Sequence, residues 1–204
     1  ALKTHPTLTE AIAFLDRVLG VSSSLTGFAM DNMTRDDGWR FLIIGRRLER
    51  LIFLANVVRH FLSLQSVSSP GSLECLLEIA DSIITYRSRY LSLPQLLPTL
   101  DLIVFDETNP HSVAFQLVIL TRYLDNQARL LGGPREQTLR ALHVCVNTFD
   151  RQRLESDLLS EDGAGRELMA LLRDGALAAA ALSDRLAMRY FSHVGDVSRH
   201  TLAS

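Results

Sequence analysis

Residues 41–62 read FLIIGRRLERLIFLANVVRHFL, a run without proline in which apolar side chains recur every three or four positions. That spacing predicts an α-helix with one apolar seam, formed by Phe41, Ile44, Leu48, Leu51, Ala55, Val58 and Leu62. Its other sides are also apolar, and they carry Ile43, Ile52, Phe53, Leu54, Val57 and Phe61. A helix apolar almost all round is one surrounded by other helices. We therefore expect a central helix from about Gly38 to about Leu64, capped by Asp36 or Asp37.

The rest of the chain has the same helical periodicity. We expect a first helix from about Thr9 to about Met30, with Thr7 or Thr9 as its cap and Glu10 in its first turn. Further helices are expected at Ser72 to Tyr90, Asn109 to Leu131, Pro134 to about Phe149, and after the polar segment Ser160 to Gly165. Residues 97–105 suit a short helix or a strand, and we favour the helix. The predicted fold is all-α, a multi-helix bundle of long antiparallel helices around a central apolar helix.

The composition limits the classes of function. A chain of 204 residues with 47% hydrophobic content can bury one core, so we expect a single domain over residues 1–204. A formal net charge of -2 gives no strong field toward nucleic acid or an anionic membrane. Two apolar stretches are interrupted, by Arg59-His60 and Arg173-Asp174, short of the ~18 residues that a membrane span needs. We expect a cytoplasmic protein that contacts neither nucleic acid nor membrane.

Metal and cofactor signatures are missing from the sequence. The six histidines are dispersed, without HExxH or a Cys/His cluster, and no phosphate-binding glycine loop is present. Cys75 and Cys145 lie far apart in apolar surroundings, which predicts two small core residues in a reducing compartment. We expect no metal site and no cofactor.

Charged residues interrupt the apolar central helix. Leu42, Arg46, Glu49 and Phe53 are spaced four, three and four, so one helix face carries Arg46 and Glu49 between two large apolar side chains. We expect both charges to be at least partly buried, with Arg50 close by on a neighbouring stripe.

Two interpretations of these charges stay open. In the structural one, Arg46, Glu49 and Arg50 form a buried ion-pair network with adjacent helices. In the functional one, the arginines clamp a carboxylate or phosphate while Glu49 orients them. Arg87 shares a stripe with Leu76, Ala80, Ile83 and Tyr90, so we expect it to point inward as well. Its guanidinium would either contact a ligand or extend past the apolar packing to solvent.

Four ordered motifs suggest a family. They are Gly38-Trp39-Arg40-Phe41-Leu42 with Gly45-Arg46-Arg47-Leu48-Glu49-Arg50; Thr85-Tyr86-Arg87-Ser88-Arg89-Tyr90; Asp106 with Asn109-Pro110-His111-Ser112-Val113 and Gln116; and Leu182-Ser183-Asp184 with Tyr190-Phe191-Ser192-His193. Together they resemble the bacterial alpha-E family, a helical domain of unknown function named for its Glu-Arg motif. The resemblance spans about Phe28 to His193 and adds Asn109 to the candidate substrate-binding residues Arg46, Glu49, Arg50 and Arg87.

The chain departs from the family pattern at two places. The family usually has arginine where this chain has His111, and it usually begins with an earlier helix that bears a similar Gly-Arg motif. Nothing before Phe28 matches that helix, so we expect the later part of a longer alpha-E domain. Its missing helices would come from another segment or another chain.

Three functions are considered, and the resemblance implies the first of them. Family members are encoded beside, or fused behind, ATP-grasp proteins, which implies an accessory domain of a peptide or amide ligase system that binds an anionic substrate or partner through inward Arg and Glu residues. An ATP-grasp-type ligase is then the expected partner, and we expect no catalysis by this chain alone. The alternatives are an enzyme with Glu49 as its acid or base, helped by Tyr86, Tyr90 or His193, and a purely structural assembly module, including a homo-oligomer.

Overall fold

A computed structural model describes residues 7–64, 67–132, 135–158 and 163–191, and this part of the chain contains helices and no strands. The helices are α1 Leu8–Asn32, α2 Asp37–Leu62, α3 Pro70–Ile79, α4 Ile83–Tyr90, α5 Leu96–Leu100, a π-helical turn Asp101–Phe105, α6 Val113–Leu131, α7 Thr138–Asn147, α8 Arg153–Asp157 and α9 Ala164–Phe191. The prediction of an all-α bundle is confirmed. So is the choice of helix over strand for residues 97–105, which α5 and the π-helical turn cover.

The chain divides into two compact units, residues 1–41 and residues 42–204. In the first unit, α1 begins at a capping box, as Thr7 and Glu10 predicted. The Thr7 hydroxyl accepts the Glu10 N–H at 3.3 Å, and the Glu10 carboxylate accepts the Thr7 N–H at 2.8 Å. Asp36 caps α2 by accepting the Trp39 N–H at 3.2 Å.

None of the residues of α1 is buried, although the helix is strongly apolar. Leu8, Leu19, Leu25 and Phe28 each expose about two-thirds of their surface or more. By length and composition α1 is long and apolar enough to cross a membrane, but a signal sequence or the core helix of a soluble protein passes the same test. This is weak evidence, and the cytoplasmic location stays a prediction.

The second unit is organised around one hydrophobic core. The predicted seam of α2 is buried in it from Ile44 to Leu62, together with side chains of all the later helices. Within this unit α6 packs against α7 and the π-helical turn, α7 packs against α9, and α8 packs against α9. Burial of these apolar surfaces is the main favourable contribution to folding.

One face of α2 lies outside this core. It consists of residues three or four positions apart that are all exposed: Arg46, Glu49, Phe53, Asn56 and His60. The expectation that helices enclose α2 on every side is therefore wrong for this face. The apolar character of Phe53 suggested burial, but its side chain is 44% exposed.

The third predicted helix is two helices. It breaks between Ile79 and Ile83, where Asp81 has a left-handed backbone with a φ of 52°. Asp tolerates this conformation better than most residues do, and no glycine or proline marks the break. In α4 Tyr86 is buried and Arg87 is exposed, so the expectation that Arg87 points inward is wrong.

Smaller corrections concern helix starts and the cysteines. Helix α6 begins at Val113 and not at the expected Asn109, and the Ser112 hydroxyl caps it by accepting the Phe115 N–H at 3.0 Å. Both cysteines are exposed, which contradicts their placement in the core.

Candidate functional site

Three of the predicted site residues lie together. Arg46, Glu49 and Arg50 line an open cavity of about 430 Å³, whose remaining wall is formed by Phe53 and Ile79. Four of these five residues belong to α2, whose helical spacing places them on adjoining stripes of the helix. The fifth, Ile79, is the last residue of α3. The cavity is therefore held by two helices and combines two guanidinium groups, one carboxylate and two apolar side chains.

The charges in this cavity are accessible. Arg46 and Glu49 are exposed, and neither forms an ion pair with another residue in the described part of the chain. The expectation of partial burial is wrong for both, because the stripe from Leu42 to Phe53 faces solvent. In the described part of the chain, Arg46 and Glu49 therefore take no part in a buried ion-pair network.

Arg50 connects the cavity to a second group of residues. Its Nη1 lies 3.4 Å from Nδ1 of His111, and Nε2 of His111 lies 3.6 Å from Oδ2 of Asp81. Burial lowers the pKa of His111, and the charges of Arg50 and Arg47 lower it further, whereas Asp81 opposes the shift. His111 is thus held mainly neutral near pH 7 and can accept a hydrogen bond from Arg50.

Arg47, which was not among the predicted site residues, is the inward arginine of the motif. Its Nη1 donates to Oε1 of Gln116 at 3.2 Å, and its guanidinium lies 5.3 Å from the ring centre of Phe115. Burial lowers its pKa, and the charges of Arg46 and Arg50 add to the shift. Its position three residues after Ile44 and four before Leu51, both buried, is the sequence signal that could have identified it.

The remaining predicted binding residues lie outside the cavity wall. Arg87 is exposed and pairs with Glu74 of α3. Asn109 is buried, where its Nδ2 donates to the Leu102 carbonyl at 2.9 Å and its Oδ1 accepts the His111 N–H at 3.1 Å. Asn109 therefore holds the loop that places His111 beside Arg50, which is a positioning role.

The groups expected to help Glu49 in catalysis do not line its cavity. The Tyr86 hydroxyl donates to the Leu93 carbonyl at 3.3 Å and accepts the Gln95 N–H at 3.0 Å. Tyr90 lines a different cavity of about 290 Å³. His193 lies outside the described residues. Among the residues described, no group of three or more His, Cys, Asp or Glu side chains could hold a metal ion.

Comparison with known proteins supplies the family. The chain is similar to uncharacterized proteins of Mycobacterium bovis and of two Mycobacterium tuberculosis strains, each 29% identical over 154 residues, which are 73% of this chain and 17% of the relative. The chain thus spans about a sixth of the length of these curated relatives. No solved structure gives a significant match.

A family model described as a predicted alpha-helical domain with a conserved ER motif matches residues 1–191. The match begins ahead of Phe28, where the sequence motifs began, and so includes α1. Glu49-Arg50 is the single Glu-Arg pair in the chain, and it lies in the wall of the cavity. The chain belongs to the Alpha-E family.

Proposed function

We propose that this chain is an accessory helical domain of an ATP-grasp-linked peptide or amide ligase system, in which Arg46 and Arg50 hold an anionic group of a substrate or partner. One observation carries the proposal: in the described part of the chain both arginines line an open cavity and neither has an acidic partner. Arg46 therefore retains its full set of donors for a ligand carboxylate, and Arg50 retains all but the one that contacts His111.

The cavity wall narrows the class of ligand. Phe53 and Ile79 are each 44% exposed beside the two arginines, so the site offers apolar contact next to positive charge. This combination suits a carboxylate attached to an apolar group better than a free inorganic anion, because the apolar part also leaves water on binding. Glu49 adds an acceptor for a donor group on the same ligand.

The accessory role is supported by the relatives. In them the region similar to this chain is 17% of a longer polypeptide, so most of each relative lies outside it. The resemblance to a family linked to ATP-grasp proteins suggests that the ligase partner provides the nucleotide chemistry. The Alpha-E domain would then present the substrate or partner to that ligase.

Benzoate is a direct probe, because it joins a carboxylate to an apolar ring. We expect NMR titration of the whole chain to show saturable shifts at Arg46, Glu49 and Arg50, and Arg46→Met or Arg50→Met to weaken the affinity about three- to tenfold. Arg166→Met is the matched control, since Arg166 is exposed on α9 and has no ion-pair partner among the described residues. Equal shifts with neutral benzamide, or an unchanged affinity in Arg50→Met, would contradict the anion site.

The link to a ligase is tested in the assembled system. Glu49→Gln and Arg50→Met change exposed or half-buried groups, so we expect both variants to fold. Ligase-system activity is then compared with the midpoint of unfolding for each variant. If activity falls only in proportion to stability, the cavity has no role in the reaction.

A purely structural assembly module is the second candidate. The observation that favours it is the exposed apolar surface of α1, on which none of 25 residues is buried. Catalysis by Glu49 has no comparable support, since neither Tyr86 nor Tyr90 lines its cavity.

A further inference from the structure

A second cavity lies at the end of α4, beside α5, the π-helical turn and the start of α8. Its volume is about 290 Å³, and it shares no residue with the cavity of Arg46 and Arg50. An apolar cavity of about 150 Å³ accommodates benzene, so this one has room for a substituted ring. Its lining is mostly apolar and includes Tyr90, Leu97, Pro98, Leu100, Phe105 and Leu154.

Tyr90 supplies this cavity with a polar group that has no partner. In the part of the chain that the structure describes, the Tyr90 hydroxyl makes no hydrogen bond. Its oxygen is not buried, so a ligand can reach it. Burial raises the pKa of Tyr90 and the charge of Asp101 adds to the shift, while Arg89 opposes it. The hydroxyl is therefore protonated at neutral pH and can donate a hydrogen bond to a ligand.

The two charged residues of the lining neutralise each other. Nη1 of Arg151 lies 2.6 Å from Oδ1 of Asp101, and the Arg151 guanidinium lies 4.7 Å from the ring centre of Phe105. The lining thus has no net charge and contains no unpaired ion. Moving an ion from water into mostly apolar surroundings is unfavourable unless a partner of opposite charge is available. This cavity therefore favours a neutral ligand.

Part of the lining belongs to the π-helical turn. Asp101 and Phe105 are the first and last residues of that turn, and Leu97 and Leu100 precede them in α5. Their spacing of three to five positions places all four on one side of a continuous helical segment. Turns of this kind are rare and occur frequently at functional sites. The turn is thus a second indication of a binding site, independent of the Tyr90 hydroxyl.

We propose that this cavity binds a small neutral aromatic compound that carries a hydrogen-bond acceptor for the Tyr90 hydroxyl. The ring of the ligand contacts the apolar lining and the ring of Tyr90, and its burial removes apolar surface from water. The acceptor satisfies a hydroxyl that otherwise has no partner in the described structure. The proposal does not depend on the function assigned to the cavity of Arg46 and Arg50.

Benzamide is the probe, because it is neutral and joins a phenyl ring to a carbonyl acceptor. We expect an NMR titration of the whole chain to show saturable shifts at Tyr90, Leu97 and Phe105. Benzoate has the same ring but carries a charge, so it should bind at these residues at least threefold more weakly. Acetamide, which lacks the ring, should also bind more weakly than benzamide.

Tyr90→Phe tests the hydroxyl, because it removes one oxygen and keeps the ring. The benzamide affinity should fall about three- to tenfold. The melting temperature should not fall, since this hydroxyl has no partner to lose in the described structure. Tyr123→Phe is the matched control, as the same substitution in a partly buried tyrosine of α6 that does not line the cavity. Its benzamide affinity should equal that of the parent.

Leu97→Ala is the second variant, and it replaces Tyr90→Phe if that variant fails to fold. It shortens a partly buried apolar side chain of the lining, so it should weaken benzamide binding about threefold or more. The proposal is overturned by an absence of saturable shifts at the lining residues, by equal benzamide affinities in the parent and the folded variant, or by benzoate binding there as tightly as benzamide. Benzoate affinity at Arg46 and Arg50 should be the same in Tyr90→Phe and the parent, so the two sites are tested separately.

Discussion

Glu49 shares its cavity with two arginines but is paired with neither of them. If the cavity binds a carboxylate, the negative charge of Glu49 repels that ligand across solvent-exposed space, where screening weakens the effect. We therefore predict that Glu49→Gln binds benzoate about two- to fivefold more tightly than the parent chain. An NMR or calorimetric titration measures this. A weaker affinity in Glu49→Gln would instead show that Glu49 orients the arginines.

His111 gives the second residue-scale prediction. Its ordinary pKa of 6.5 is lowered in the folded chain by burial and by Arg50 and Arg47, so the unfolded chain binds the proton more readily. The stabilisation that this shift supplies is complete above a pH of about 6.5 and is lost as the pH falls through the lowered pKa. Unfolding midpoints from about pH 7.5 to about pH 5 should therefore fall less in His111→Gln than in the parent.

His60→Gln is the control for this measurement, because His60 lies on the exposed face of α2. The comparison of the two variants separates the effect of the surroundings of His111 from the loss of a histidine as such. If His111→Gln and His60→Gln have the same pH dependence, protonation of His111 does not oppose folding.

The arginine motif could be predicted only in part from the sequence. The four-three-four spacing correctly put Arg46 and Glu49 on one face, since helix geometry alone fixes that relation. Which face is buried depends on where the neighbouring helices pack, and the mixed apolar and charged stripe of α2 allowed either answer. The structure buries the stripe of Ile44 and Leu51, and this turns Arg47 inward.

Two glycines give the element-scale prediction, because a methyl group would meet different surroundings at each. At Gly165, where α9 starts, a Cβ would lie 2.3 Å from the Leu158 carbonyl oxygen, so the backbone of α8 or α9 would have to shift. At Gly45, inside α2, a Cβ would have no atom within 4 Å other than those of its chain neighbours and of the nearby backbone of α2 itself. We predict that Gly165→Ala lowers the free energy of unfolding by about 1–3 kcal/mol, and that Gly45→Ala raises it by about 0.5–1 kcal/mol.

Denaturant unfolding of the two variants checks this pair of predictions with one method. Both substitutions add a single methyl group to a helix, so each serves as the control for the other. Equal effects of the same sign would mean that helix propensity, and not the contact with Leu158, determines the outcome at Gly165.

At the element scale, the break between α3 and α4 could not be predicted from the apolar pattern of the sequence. The apolar spacing from Leu76 to Tyr90 is compatible with one helix, and Ala80, Asp81 and Ser82 carry no strong turn signal. After the break Tyr86 is buried, and its ring centre lies 4.7 Å from that of Tyr90, one turn further along α4. At the break, Asp81 lies within 3.6 Å of His111, a contact that sequence spacing could not reveal.

For the whole molecule, the all-α class followed from periodicity, whereas the division into two units did not. The sequence of α1 is apolar enough for the core helix of a soluble protein, yet none of its residues is buried. Its length and cap were nevertheless predictable, since Thr7 and Glu10 form a local motif that needs no tertiary contact.

The exposed α1 leads to the last prediction, which concerns local stability across the chain. Helix α6 buries seven residues, five of them in the hydrophobic core, whereas α1 buries none. Isolated helices are marginally stable in water, so the amides of residues 8–32 should exchange with solvent orders of magnitude faster than those of residues 113–131. Hydrogen-exchange mass spectrometry of the whole chain measures both segments at once. Protection of α1 that rises with protein concentration would support the assembly module, because self-association then covers the helix, while strong protection at every dilution would show that α1 is packed within a single chain.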